Sequence, residues 1–245
     1  MHKRRKLLLI IGVSTLAIVL GFLGFYAIRN YLDFRAGRIT QDDYNMPFLP
    51  LYWREGAYKP VIYLYPQEPM RVSVTLDYAG KLLYTYPQYQ DSWRVMAHPD
   101  GTLINDADAK EYSYLFWEGV SDVEYDMSQG FVVKGEDTVA FLQEKLAYLG
   151  LTPREYNEMI VYWLPHMQDN AYNLITFQEQ AYLDSAKLMI DPAPDSVLRI
   201  FMAFAALEKP IDIPPQQLVS FERKGFTLIE WGGTIVGGHG GGSYE

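Results

Sequence analysis

Two glutamates stand beside tryptophans, Trp117-Glu118 and Glu230-Trp231, and this is the nearest approach in the sequence to a catalytic constellation. Glycoside cleavage needs one carboxyl group as acid and a second as base or nucleophile, with aromatic faces to hold sugar rings. If the two segments meet across a cleft, Glu118 acts with Glu230 or Asp122 as a carboxylate-dependent glycan hydrolase. Spacing alone does not bring them together, and each glutamate also reads as an ordinary strand-end residue. Tyrosine carries the other chemistry. Ten tyrosines fall between Tyr58 and Tyr125, and Tyr63/Tyr65, Tyr84/Tyr86 and Tyr112/Tyr114 are i, i+2 pairs. On a strand each pair shares one face. Rows of aromatic faces tipped with hydroxyls stack glycans or extended peptides. These six tyrosines and Trp117 are therefore the expected binding residues. The plainer role for them is to fill the rim of a small β core, where tyrosine has a high strand preference.

Other chemistries are excluded or poorly supplied. The chain has no cysteine, which removes disulfides, thiolate metal sites and cysteine nucleophiles. It has no G-x-x-x-x-G-K-[ST], H-E-x-x-H or G-x-S-x-G signature. His239-Gly240-Gly241-Gly242 imitates an oxyanion-hole string but has no nucleophile elbow after it, and a glycine-rich tail is expected there. His98 and His166 each adjoin a proline near an element end and read as ordinary polar positions. Eight acids lie between Asp100 and Asp126 against Lys110 alone. An EF-hand loop counted from Asp106 places Glu111 where glycine is required and Trp117 at the last ligand position, so that motif fails. No metal and no cofactor is expected.

Charge divides the chain. Up to Arg38 there are seven Lys/Arg and one acid; beyond it, fourteen Lys/Arg face twenty-nine Asp/Glu, a net charge of −15. So acidic a body repels nucleic-acid phosphates. Leu7 to Ile28 carries no formal charge and as a helix spans the roughly 30 Å hydrocarbon core of a bilayer. The Lys3-Arg4-Arg5-Lys6 cluster before it predicts an uncleaved signal anchor, with residues 1–6 cytoplasmic and the body extracytoplasmic. The expected function is then a membrane-anchored, non-enzymatic envelope binding or interaction module with a cell-envelope glycan or protein as partner; the alternatives are the envelope glycan hydrolase and a structural subunit of a membrane complex. Oligomeric state is not readable.

The elements that must position these residues follow from periodicity. Residues 29–57 read as a juxtamembrane connector. From Lys59 the apolar period is two: 61–65, 72–76, 81–86, 93–98 and 112–117 are strands separated by Gly, Pro and Asp turns. They predict an antiparallel sandwich or barrel-like unit over 58–127. Val139, Leu142, Leu146 and Leu149 share a helical face ended by Gly150. Thr152-Pro153-Arg154-Glu155 is a capping box opening a second helix that Pro165 stops. Strands return at 173–178, 188–190, 197–205 and 226–231, so 128–231 is an α+β unit, integral with the first, before a glycine-rich tail over 232–245. The expected fold class is α+β, with an N-terminal transmembrane helix, the β-rich unit, and then the helix-turn-helix with further strands.

The strings KPVIYLYP (59–66), TYPQY (85–89), WRVMAHPDGTL (93–103), YSYLFWEG (112–119), NEMIVYWLP (157–165) and FTLIEWGG (226–233) occur in this order. In them the chain resembles an uncharacterised, mostly bacterial protein family. The resemblance covers 59–233 and implies one integral two-part body. It transfers no catalytic residue.

Overall fold

The computed structural model describes residues 56–236. Strand alternation decides its layers. In β1 (Gly56–Tyr65), Ile62 and Leu64 enter one buried cluster while Val61 and Tyr63 enter another. A strand buried on both faces belongs inside a covered sheet. β12 (Thr227–Ile235) divides in the same way, Leu228 against Ile229 and Trp231. In β11 (Ser196–Leu207), Phe201 opposes Ile200, Met202 and Phe204. These strands lie in a seven-stranded sheet with β3 (Lys81–Tyr86), β7 (Leu115–Val120), β8 (Phe131–Lys134) and β9 (Tyr172–Gln178), ordered β3-β7-β1-β12-β11-β9-β8. β11 and β12 run parallel; the other neighbours are antiparallel.

A five-stranded sheet covers one face. Its order is β10 (Ala186–Asp191), β2 (Met70–Tyr78), β4 (Trp93–Ala97), β5 (Leu103–Asn105), β6 (Glu111–Tyr112). Val72, Val74 and Leu76 of β2 turn inward while Arg71 and Asp77 stay exposed, the pattern of a sheet wet on one side. Trp93, Leu115, Trp117, Phe201 and Leu228 fill the space between the sheets. The other face of the large sheet carries two helices, α1 (Thr138–Leu149) and α2 (Pro153–Met167). Leu142, Leu146, Met159 and Trp163 pack there against Val61, Met202 and Trp231. Gly233 permits this contact: a Cβ would lie 2.5 Å from the Met202 carbonyl oxygen and 2.7 Å from the Trp163 ring.

The turn between the helices is tied to the chain before β12. Gly150 ends α1 at φ 106°, where side chains other than hydrogen are strained. At the start of α2, the Thr152 N–H donates to Glu155 Oε2 at 2.7 Å. Glu155 is fully buried, and Arg223 donates to both its oxygens and to the Gly150 carbonyl, the last at 2.9 Å. Burial alone would raise the Glu155 carboxyl. Arg223, the Thr152 N–H and the Tyr65 hydroxyl together hold it below the usual carboxylate range.

Several expectations are corrected. Strands from both halves of the chain interleave in one large sheet, so the first half is not a self-contained sandwich or barrel. Register explains this: β1 takes neighbours from both halves, β7 on one side and β12 on the other. The body is mostly sheet, with few helices. The predicted strand over 112–117 is broken into β6 and β7. α2 continues past Pro165 to Met167; the proline frees the Val161 carbonyl, and Val161 is 73% exposed, where water can satisfy it. The transmembrane helix, the signal anchor and the single-pass location with an extracytoplasmic body are not supported. Among the described residues no helix is long and apolar enough to cross a membrane, and Leu7–Ile28 and the His239 string lie outside them.

Candidate functional site

The parity of β7 places the predicted carboxylates. Leu115 and Trp117 enter the core between the sheets, whereas Phe116 packs on the helix side. Glu118 follows Phe116 in parity and also faces the helix side. β1 is irregular between Tyr58 and Val61, and Lys59 there has φ 49°. This step turns the Lys59 N–H toward Glu118 Oε2, at 3.4 Å. Lys59 Nζ lies 5.1 Å from the Tyr162 ring centre and 5.6 Å from that of Trp231. Burial pushes the Glu118 carboxyl above its ordinary range, and the Lys59 N–H offsets part of that. Burial, followed by the Glu118 charge, pushes Tyr162 up to about 12.

Glu230 is on the opposite side. It shares parity with Leu228, is fully buried, and accepts a 3.1 Å hydrogen bond from Trp117 Nε1. Arg199 Nε donates to its second oxygen, and the guanidinium lies 4.9 Å from the Tyr182 ring centre. Burial disfavours the Arg199 charge, but Glu230 and Tyr182 together outweigh it and hold the guanidinium protonated. The two tryptophan-flanked segments do meet, then, through a contact sealed between the sheets. Glu118 and Glu230 stand on opposite faces of the same sheet, so they cannot flank one bond. Asp122 is exposed in the irregular segment after β7.

The tyrosines divide into core and surface. Tyr63 is buried under α2 and donates to Glu158 Oε2 at 3.1 Å. Burial, then the Glu158 charge, raises its pKa. Tyr65, half-buried, stacks near Tyr63 at 6.1 Å and lies 5.5 Å from the Arg223 guanidinium. Tyr112 is buried and donates to Asp108 Oδ2 at 2.6 Å, and that bond pushes it up to about 12. Trp117 is wholly inside. Tyr114 is half-buried, edge-on to Tyr63 at 5.4 Å.

Tyr84 and Tyr86 remain 57% and 61% exposed. In register they stand opposite Glu118 and Phe116, and directly opposed residues share a sheet face. Tyr86 is braced edge-on by Tyr112 at 5.0 Å. The structure thus brings Tyr84, Tyr86, Phe116, Tyr114 and Glu118 to one face at one edge of the large sheet, with Glu158 and Tyr162 on the neighbouring helix. Sequence reading missed Phe116, Lys59, Glu158 and Tyr162. Phe116 could have been found as the i+2 neighbour of Tyr114, and Glu158 and Tyr162 as i, i+4 partners on α2.

Among the acids of 100–126, Asp100, Asp108 and Asp126 serve local turns and Asp106 pairs with Arg71 of β2. Asp100 accepts from the Thr102 N–H, Asp106 from Arg71, Asp108 from Asn105 and Lys110, and Asp126 from Ser128. Among the described residues, no three side chains gather as metal ligands. At the other sheet edge a cleft of about 400 Å³ is lined by Phe131, Phe141, Lys145, Ile211 and Ile213. It holds no residue singled out in the sequence.

No family model and no solved structure matches the chain. It is similar to the "Uncharacterized protein in bglA 3'region" of Butyrivibrio fibrisolvens, 47% identical over 64 residues. The match takes in 25% of this chain and 65% of that protein.

Proposed function

We propose that the protein is a non-enzymatic binding module that holds an extended ligand across the aromatic strip of Tyr84, Tyr86, Phe116 and Tyr114. One observation carries this reading: the two exposed tyrosines share a face with partly buried aromatics at a sheet edge, while the second carboxylate needed for hydrolysis lies behind the sheet. Rigid aromatic faces bind with little conformational cost, because a side chain with two torsions loses little on ordering. Tyr86 is already held by Tyr112.

A second reading, the carboxylate-dependent glycan hydrolase, keeps one favourable feature. Glu118 is a partly buried carboxyl whose pKa is raised, as a general acid requires. Its predicted partner Glu230 faces the other side of the sheet. We also place the chain with the bacterial family whose strings it shares. Those strings include β1, the end of β3, and β6 with β7, and they contain Tyr86, Tyr114 and Phe116 of the strip but not Tyr84.

The test applies the full chain, and the variant Tyr84→Ala/Tyr86→Ala, to arrays of oligosaccharides and decapeptides. The expected result is capture by the wild type and loss of at least about thirtyfold in affinity in the variant, the scale of a hot-spot truncation. Thermal unfolding should be unchanged, since both side chains are exposed. Capture that survives the double substitution overturns the reading.

A further inference from the structure

The strip lies on an edge strand. β7 is the sole sheet neighbour of β3 among the described residues. Among the described residues, Leu82–Tyr86 makes no backbone hydrogen bond to any other segment. An edge of this kind presents N–H and C=O groups spaced to receive another strand. Natural edges are protected by lysine, proline or bulges. Here Lys81 and Pro87 bracket the stretch and the register steps between Leu82 and Tyr84, but Leu82-Leu83-Tyr84-Thr85-Tyr86 itself carries no charge. The opposite edge differs: the Gly130 N–H next to β8 donates to the Pro214 carbonyl at 3.0 Å, so that edge is partly covered by the chain itself.

Charge selects the occupant. Residues 56–236 hold thirteen Lys/Arg and twenty-five Asp/Glu, a net charge of −12. Glu118 stands opposite Tyr84, and exposed Asp122 follows two residues after Val120, the register partner of Lys81. Tyrosine faces attract ammonium and guanidinium groups. A second copy of this chain joined β3 to β3 would bring two such acidic surfaces together, at an electrostatic cost.

Resting on the binding-module reading, we propose that β3 receives an extended, lysine- or arginine-bearing peptide. The peptide joins the seven-stranded sheet as a further strand. Its backbone pairs with β3 while every second side chain lies on the face of Tyr84 and Tyr86. Main-chain pairing supplies affinity, and the alternating cations supply selectivity.

Three fluorescein-labelled decapeptides test this against the full chain by fluorescence anisotropy: alternating Lys-Thr, a block isomer with five lysines then five threonines, and the alternating peptide N-methylated at every second residue. The proposal expects the alternating peptide to bind, with affinity falling about tenfold or more for each of the other two. Raising salt from 50 to 500 mM should weaken it further, as screened charges require. Equal binding of the block and alternating peptides reduces the interaction to bulk charge and overturns strand addition, as does binding that tolerates N-methylation. No peptide binding alongside oligosaccharide capture that depends on Tyr84 and Tyr86 overturns this proposal and leaves the binding module standing. A concentration-dependent dimer in sedimentation that excludes the alternating peptide makes a second copy the occupant and also overturns it.

Discussion

At the scale of single residues, two glutamates of similar sequence context have opposite roles because they differ in parity. Glu230 is an interior anion matched to Arg199 and Trp117. Breaking such a pair leaves a buried cation without compensation, so Glu230→Gln should cost about 3 kcal/mol of stability in a urea titration. A loss under about 1 kcal/mol would mean the pair contributes little beyond its desolvation cost. Glu118 is perturbed the other way: its carboxyl is raised in the folded protein. Below the ordinary glutamate range both folded and unfolded states are protonated and nothing is lost. As pH rises from that range through the folded value, the unfolded chain ionises first and stability falls. Glu118→Gln removes this ionisation penalty. The variant should melt a few degrees above wild type at pH 7, and the difference should close by pH 4. A difference that stays constant with pH would place the cause in packing rather than ionisation.

At the scale of elements, the helix pair is held by a polar clasp as well as by its apolar faces. Arg223→Ala strands Glu155 in the interior and should cost about 3 kcal/mol at pH 7. Glu155 is depressed by its partners, so its stabilisation is present above the ordinary glutamate range and lost as pH falls through the folded value. The penalty of Arg223→Ala should accordingly shrink in acid, the reverse of the Glu118 effect; a penalty independent of pH would contradict the clasp. Gly233→Ala should cost about 2 kcal/mol by overpacking against Trp163 and the Met202 carbonyl. The α1–Gly150–α2 unit was legible in the sequence, since its caps and apolar period are local. β5 and β8 were not. They are three and four residues long, and the half-buried β8 shows no alternation to detect.

At the scale of the whole molecule, the arrangement of the sheets decides what the site residues can do. Trp117 and Glu230 are 113 positions apart, and nothing local indicates that they bond or that a sheet separates Glu230 from Glu118. Those facts depend on the register of β1 with β7 and β12, including the irregular step near Lys59. Tyr63/Tyr65 and Tyr84/Tyr86 were legible as pairs on one strand, but Tyr112 and Tyr114 do not share a face, because the strand breaks between them and Tyr112 packs between the sheets while Tyr114 packs on the helix side. Which face is covered was not legible either: α2 buries Tyr63, while Tyr84 and Tyr86 lie on the edge strand. The account therefore predicts retention without turnover. Its most direct test incubates array-captured oligosaccharides and decapeptides with the full chain, Glu118→Gln and Tyr84→Ala/Tyr86→Ala, and weighs each ligand by mass spectrometry before and after. The predicted result is unchanged ligand mass throughout, with capture lost in the tyrosine variant. Hydrolysed fragments that appear with the wild type and vanish in Glu118→Gln would contradict it.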